Sequence, residues 1–178
     1  VLYGLTRPDE GEIQVRGEPV DIAVPGDAIA LGIGMVHQHF MLIPVMTVAE
    51  NFVLGVERST NGILLDYGTA RTRVREIAET FGFAVEPDAL VQDITVGQQQ
   101  RVEIAKALSQ DAKILGLDDP TAVLTESEVE TLFGILKDLL AKGVGMIYIS
   151  HKLDEVFAMS DRITVLRDGK TVSTHNAA

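Results

Sequence analysis

Residues Lys113–Thr125 read KILGLDDPTAVLT, an apolar run that closes on two adjacent carboxylates, Asp118 and Asp119, directly before Pro120. A short aliphatic run bounded by turn residues is the pattern of a buried strand. In open α/β sheets, ligands gather beyond the carboxyl ends of the strands. Two acids at such an end are placed for phosphate chemistry. One carboxylate holds Mg²⁺ against phosphate oxygens, and the next orients or deprotonates an attacking water. Successive strand residues face opposite ways, so the two acids divide these roles. The pair alone leaves a second reading open, in which both are turn or helix-capping aspartates ahead of a proline.

Three other features fall at loop positions of the same expected sheet. Gln38 closes a strand expected over Ile33–Gln38 (IGMVHQ), and its amide can both donate and accept near metal-bound water. In ITVGQQQRVE (Ile94–Glu103), Thr95, Gly97 and Gln98 stand at a helix N-terminus, where free N–H groups and the dipole favour an anion. His151 follows an apolar strand expected over Val144–Ser150 and is within reach of a terminal phosphate. Alone, each has an ordinary explanation: a glycine before a helix is a simple cap, and a histidine after a strand is a surface or core residue. Four in this order, each at a strand end or helix start, make a strong signal.

Outward from these points the chain alternates strands and helices. A hairpin or pair of edge strands is expected over Glu12–Val20 and a short helix at PGDAIALG. Thr47 precedes Glu50 by three residues, the capping-box spacing of a helix start. Val74, Ile77, Ala78 and Phe81 fall on one helical face, as do Val102, Ala105 and Leu108 in the next helix. Thr125, Ser127 and Glu128 open a helix whose core face is Leu132, Ile135, Leu136 and Leu139. A short helix and the strands RITVLR and KTVST follow. This order predicts an α/β fold with a mainly parallel sheet covered on both faces. The largely helical stretch between about residue 40 and residue 110 reads as an inserted helical subdomain.

The 178 residues are 46% apolar, enough for one domain with its own core, and mean hydropathy is +0.19, which argues against disorder. A net charge of −11 leaves no basic excess to neutralise phosphates, so nucleic acid is not an expected partner. There is no cysteine and hence no disulfide framework. A membrane helix needs ~18 uninterrupted apolar residues. The most apolar region, Ala28–Leu54, is broken by His37, Gln38, His39 and Glu50, so any membrane link is expected to run through a partner. The chain opens on Val1, and VLYGL reads as the end of a helix, so the sequence is expected to be a fragment.

With these motifs in order, the chain resembles the nucleotide-binding domain of an ABC transporter, a P-loop NTPase of the RecA-like class. The resemblance spans essentially residues 1–178 as a single ATP-binding domain. GMVHQHF is similar to the Q-loop, ITVGQQQRVEIAKAL to the signature motif, ILGLDDPT to the Walker B strand and YISHKLDEV to the H-loop. MVHQHFMLIPVMTVAENFVLG and DDPTAVLT further resemble importers of nucleosides and simple sugars, and VLRDGKTVSTHNAA looks like the close of the first of two tandem domains. The resemblance implies ATP and Mg²⁺ as nucleotide and cofactor. Gln38 would contact Mg²⁺ or the attacking water, Asp118 would hold the metal through water, Asp119 would be the catalytic base, and His151 would meet the γ-phosphate. Thr95, Gly97 and Gln98 would act on nucleotide held by a second ATP-binding domain. The region from Gln38 to the signature helix would dock on a membrane permease served indirectly by a solute-binding protein. The implied place is the cytoplasmic face of the plasma membrane, as a peripheral subunit.

Four departures qualify the resemblance. The glycine-rich phosphate loop is absent and is expected just before Val1; without its amides and Lys the fragment should bind ATP poorly. Asp119 stands where the family usually has Glu, which draws the carboxylate back by ~1.5 Å. The signature reads Ile-Thr-Val-Gly-Gln, keeping a hydroxyl at Thr95. Thr125 lies near where many relatives carry the D-loop aspartate, so no D-loop aspartate is assigned. These departures keep a second reading in play: a docking domain that binds the permease and hydrolyses nothing. A third, an ABC ATPase of DNA repair or translation, is disfavoured by the acidic balance. His37 and His39 would share a strand face as two metal ligands without a third, and RTRVRE (Arg71–Glu76) reads as a solvated helix face. Met35, Met41 and Met46 fit either core gaps or a partner-facing groove.

Overall fold

In the computed structural model, described here for residues 1–54, 59–60, 64–65 and 67–177, three parallel strands carry the site. They are β3 (Ile33–Val36), β6 (Ile114–Asp118) and β7 (Gly145–Ile149), side by side in that order. Val36 stands opposite Leu117, and Leu117 opposite Tyr148, so the carboxyl ends of all three strands share one rim. Parallel neighbours require crossovers. The first runs through α2 (Val48–Val53), α3 (Tyr67–Phe81) and α4 (Val96–Ser109), and the second through α5 (Glu126–Ala141). A short helix, α6 (Leu153–Met159), follows β7.

The antiparallel elements are hairpins: β1 (Ile13–Val15) with β2 (Glu18–Val20), β4 (Ser59–Thr60) with β5 (Leu64–Leu65), and β8 (Arg162–Arg167) with β9 (Lys170–Asn176). Arg16 and Gly17 both take positive φ, 55° and 83°, as do Asp168 and Gly169 at 51° and 72°. Two successive left-handed residues make the tight turn whose twist matches the flanking strands, which is why glycine sits second in both.

Three helices begin with a Thr cap, reciprocal at Thr47 and Thr95 and one-sided at Thr125, where the Glu128 carboxylate accepts from the Thr125 N–H and hydroxyl. Thr47 and Glu50, Thr95 and Gln98, and Thr125 and Glu128 each join the first helical turn to the residue ahead of it. Between them α4 and α5 pack Val102, Ile104, Leu108, Leu132, Leu136 and Leu139 against Val36, Leu115 and Leu117 of the sheet. All are buried, and each leucine so placed contributes about 1.5–3 kcal/mol. Ile22, Ala28 and Ile33 form a smaller core under the N-terminal hairpin, beside α1 (Pro25–Ala30).

Two expectations need correction. Strand β3 ends at Val36, not at Gln38, because the chain leaves the ladder there: the N–H of Met41 donates to the Glu103 carboxylate of α4 at 2.6 Å. The sheet is also not covered evenly on both faces. Ile147 and Ile149 of β7 remain 42% and 50% exposed, while Leu115 and Leu117 of β6 are fully buried.

Strand β3 lies close against α4 and β6 at Gly34. A Cβ there would stand 3.0 Å from Ala112 Cβ and Leu115 Cδ2 and 3.1 Å from Ala107 Cβ, atoms with little room to move. At Gly116 the nearest atom is the Met35 sulfur at 2.8 Å, the free end of a flexible side chain. Gly34→Ala is therefore expected to destabilise by about 1–3 kcal/mol and Gly116→Ala by clearly less. Urea unfolding of the two variants checks the order, and equal costs would contradict this packing.

Candidate functional site

The two acids that close β6 part company, but not by strand alternation alone. Asp118 is the last strand residue, half-buried, and among the described residues its carboxylate takes no hydrogen bond or ion pair. Asp119 leaves the strand in a left-handed conformation, φ 45°, which Asp tolerates better than most residues. Its N–H still donates to Ile149 O at 2.9 Å, and its own carbonyl accepts from Ala122 N at 3.1 Å. That turn brings the Asp119 carboxylate to His151, with Nδ1 at 2.9 Å from Oδ2 and 3.2 Å from Oδ1. The aspartate side chain is 18% exposed and the imidazole 72% exposed. A buried acid thus orients an exposed ring at the rim.

Behind this pair lies a residue that the sequence reading passed over. Glu155, in the first turn of α6, accepts from Thr121 Oγ1 at 2.6 Å, Tyr148 OH at 2.8 Å and Ser150 Oγ at 3.4 Å. Its other oxygen meets Lys152 Nζ at 3.1 Å, and that ammonium also donates to the Thr121 carbonyl and hydroxyl. Burial pushes the Glu155 carboxyl up, but the hydroxyls of Thr121 and Tyr148 and the Lys152 ammonium outweigh it and hold the group below its usual range. The Tyr148 phenol moves up, through burial first and then through Glu155. Its place inside the HKLDEV run was the only available signal.

Gln38 stands in a bend two residues past the carboxyl end of β3, and its side chain is exposed. No hydrogen bond joins it to Asp118, Asp119 or His151 among the described residues. Instead it lines a pocket of about 260 Å³ together with Phe40, Leu42, Pro44, Gln99 and Val123. Met41, Val45 and Val123 around it are 63%, 73% and 60% exposed. His37 and His39 do not share a strand face; His37 packs edge-on against Tyr3 with ring centroids 5.8 Å apart. The segment is tied down by Glu103, a carboxylate on the buried face of α4. Burial pushes Glu103 up, against the lowering influence of the Met41 N–H, Lys106 and His37, and burial pushes the Lys106 ammonium down.

Thr95, Gly97 and Gln98 form the first turn of α4, as expected, with Thr95 as the cap. The Gly97 N–H is already engaged: it donates to Glu128 Oε1 at 3.2 Å, while Glu128 Oε2 accepts from Thr125 N–H and Oγ1 at 3.0 and 2.9 Å. The Thr125 N–H and hydroxyl, then Gly97 and Arg101, hold Glu128 below the usual carboxylate range. The structure therefore brings Asp119 and His151 into contact, sets Asp118 and Gln38 at the same rim, and keeps the α4 turn against α5.

A parallel sheet with its acids and histidine at one carboxyl rim, and a capped helix presenting Thr-x-Gly-Gln, is the architecture of an ATP-binding cassette. The chain belongs to the ABC transporter family, whose model matches residues 1–122. It is 53% identical over 174 residues to the nucleoside import ATP-binding protein NupA of Lactococcus lactis, covering 98% of this chain and 34% of that protein. With the ribose import ATP-binding protein RbsA 3 of Rubrobacter xylanophilus it shares 46% identity, covering 98% and 35%. The chain thus spans about a third of the length of these curated relatives. Among solved structures, a nucleotide-free ATP-binding cassette from an ABC transporter superposes with a TM-score of 0.86 at 23% identity, covering 99% of this chain and 73% of that one. A dimeric post-hydrolysis cassette bound to ADP and Pi gives 0.76 at 26% identity, covering 99% and 77%.

The raised Glu103 carboxyl has a stated consequence for stability. A folded-state value above the unfolded one makes its contribution fully present below the ordinary carboxylate range and progressively lost as pH rises. Glu103→Gln, which keeps an acceptor for Met41 N–H, removes that loss. Relative to the wild type, the variant is expected to gain in urea midpoint between pH 4 and pH 7; a gap that stays constant or narrows would contradict the assignment.

Proposed function

We propose that the polypeptide carrying this chain is the ATP-hydrolysing subunit of an importer that moves a nucleoside or simple sugar through a membrane permease. The observation that carries this reading is the 2.9 Å contact between Asp119 and His151 at the carboxyl ends of adjacent parallel strands, in a chain of the ABC transporter family. The names of its relatives supply the substrate class.

In this reading Asp119 is the base. Its carboxylate accepts the proton of the attacking water, and its fixed backbone turn keeps it at the rim. His151 uses Nδ1 to hold Asp119, which leaves Nε2 free at the exposed edge of the ring. In the imidazolium form Nε2 donates to an oxygen of the terminal phosphate and stabilises its developing charge. Asp118 and Gln38 are oxygen donors without protein partners among the described residues, the hard ligand type that Mg²⁺ takes alongside substrate phosphates. They would hold the ion, which supplies charge neutralisation between the phosphates. Thr95, Gly97 and Gln98 meet the nucleotide of a second ATP-binding domain, where phosphate takes over the Gly97 N–H from Glu128. Residues 1–178 form one ATP-binding domain in which the helices between about residue 40 and residue 110 act as a helical subdomain. The Gln38 pocket and the exposed Met41 and Val45 receive the permease, and a solute-binding protein acts only through that permease. This places the subunit peripherally at the cytoplasmic face of the membrane. Among the described residues no helix is long and apolar enough to cross it.

A second reading, a docking subunit that hydrolyses nothing, draws on the same contact. The Asp119 carboxylate is one methylene shorter than glutamate and is already engaged by His151, so its reach toward water is reduced. Phosphate release by the full polypeptide, with and without Mg²⁺, separates the two. The expected result is slow, metal-dependent hydrolysis, abolished by chelation and lowered by Asp119→Asn. Asp119→Glu, which restores ~1.5 Å of reach, is expected to raise turnover, by up to about 10²-fold. Wild-type release no greater than that of Asp119→Asn would leave the docking reading standing.

A further inference from the structure

We propose that Glu155 is a positioning residue that fixes the distance between Asp119 and His151 by clamping the two loops that carry them. The inference rests on the reading of those two residues given above. Neither loop is held by regular structure at the rim: Asp119 has left β6, and His151 stands two residues past the end of β7. Besides the bond from the Asp119 N–H to Ile149 O, one carboxylate gathers donors from both loops. One of its oxygens accepts from Thr121, two residues beyond Asp119, and from Tyr148 and Ser150, which flank the approach to His151. The other oxygen pairs with Lys152, which reaches back to Thr121. Lys152 N–H in turn donates to Ser150 Oγ at 3.1 Å. Thr121, Tyr148, Ser150 and Lys152, the near neighbours of Asp119 and His151 along the chain, all end on Glu155.

The chemistry suits a clamp better than a second base. Each Glu155 oxygen faces protein donors, and Thr121 is fully buried, so this carboxylate does not confront the open rim as the His151 ring does. A carboxylate that accepts several short hydrogen bonds is rigid, and its charge strengthens each of them. Removing it leaves the buried Thr121 hydroxyl and the Tyr148 hydroxyl without their acceptor, and the loops are then free to separate. Because catalytic efficiency depends steeply on the geometry of the reacting groups, a displacement of this kind acts on turnover and not on nucleotide affinity.

The test uses the full polypeptide and two readouts. In Glu155→Ala, kcat for ATP hydrolysis is expected to fall by about 10- to 100-fold with KM nearly unchanged. Glu155→Gln keeps one carbonyl oxygen for the hydroxyls but loses the Lys152 pair, and is expected to recover part of the loss. Hydrogen exchange reads the clamp without reference to activity: the amides of Asp119, Ala122 and Lys152 should exchange at least about tenfold faster in Glu155→Ala, while those of α2 and α4 keep their rates. Should Glu155→Ala fail to fold, Tyr148→Phe and Thr121→Val each remove one donor and should give smaller changes confined to the same amides. Unchanged exchange at the two loops overturns the proposal, as does an increase spread evenly over the domain or a loss carried by KM alone. A wild-type polypeptide without ATPase activity would sink the functional reading instead, and the exchange result would still decide the clamp.

Discussion

Strand β6 is the central strand of the parallel sheet, hydrogen-bonded to β3 and β7, and its register sets the level of the rim. Leu117 is paired with Val36 on one side and Tyr148 on the other. Both of its inward leucines are fully buried between α4 and α5. A one-residue slip would turn those leucines to the opposite face and lift Asp118 and Asp119 out of level with Gln38 and His151. Burial of two leucines opposes such a slip with several kcal/mol, at about 1.5–3 kcal/mol each. The placement of polar groups at the rim is thus enforced from within the apolar layer below it.

What the sequence disclosed follows from which interactions are local. The cap at Thr47 is a spacing of three residues and formed as that spacing implied, and the helices expected to open at Thr95 and Thr125 begin there. The apolar run of β6 and the core faces of α3, α4 and α5 are periodic and equally legible. Glu103 and Glu155 were not, because their partners lie far along the chain: Met41 is 62 residues from Glu103 and Thr121 is 34 residues from Glu155. Such contacts leave no periodic mark. Glu103 even occupies a core-facing position between Val102 and Ile104, where pattern alone would ask for an apolar residue. The early end of β3 belongs to the same class, since the bond that diverts the chain comes from another helix. The left-handed turn at Asp119 is also invisible to strand periodicity, although it helps aim the carboxylate at His151.

The net charge of −11 gives a misleading first impression of this surface. Several of its carboxylates are turned inward as acceptors that bind one segment to another. Glu50 and Glu128 close helix starts, Glu128 also holds Gly97, Glu103 holds the bend after β3, and Glu155 holds the loops after β6 and β7. Each accepts from N–H or O–H groups that would otherwise lack a partner, so the charge is satisfied by dipoles more often than by cations. Under the proposed function, that matters at a rim that would receive a polyanion. Free carboxylates facing outward would repel phosphate, whereas carboxylates committed to neighbouring donors present less exposed charge. Asp118 at the rim is half-buried and, among the described residues, unpartnered; under the proposed function it would be the acid that meets the divalent cation.

The α4 N-terminus shows how the same physics serves both the resting protein and a ligand. Its first amides and its dipole demand an anion. In the isolated chain Glu128 meets that demand from α5, accepting from Gly97 while also capping its own helix through Thr125. Under the proposed function, a phosphate arriving here would exchange one anion for another, so its gain would be the difference between two similar interactions and not the full strength of either. The cost is small because Glu128 does not depend on Gly97: both of its bonds to Thr125 use the other oxygen and survive the exchange. Gly97, with no Cβ between its amide and the approaching group, is the position in that turn where such an exchange meets least steric resistance. A methyl there would stand 2.6 Å from the Glu128 oxygen, inside the space either anion must occupy.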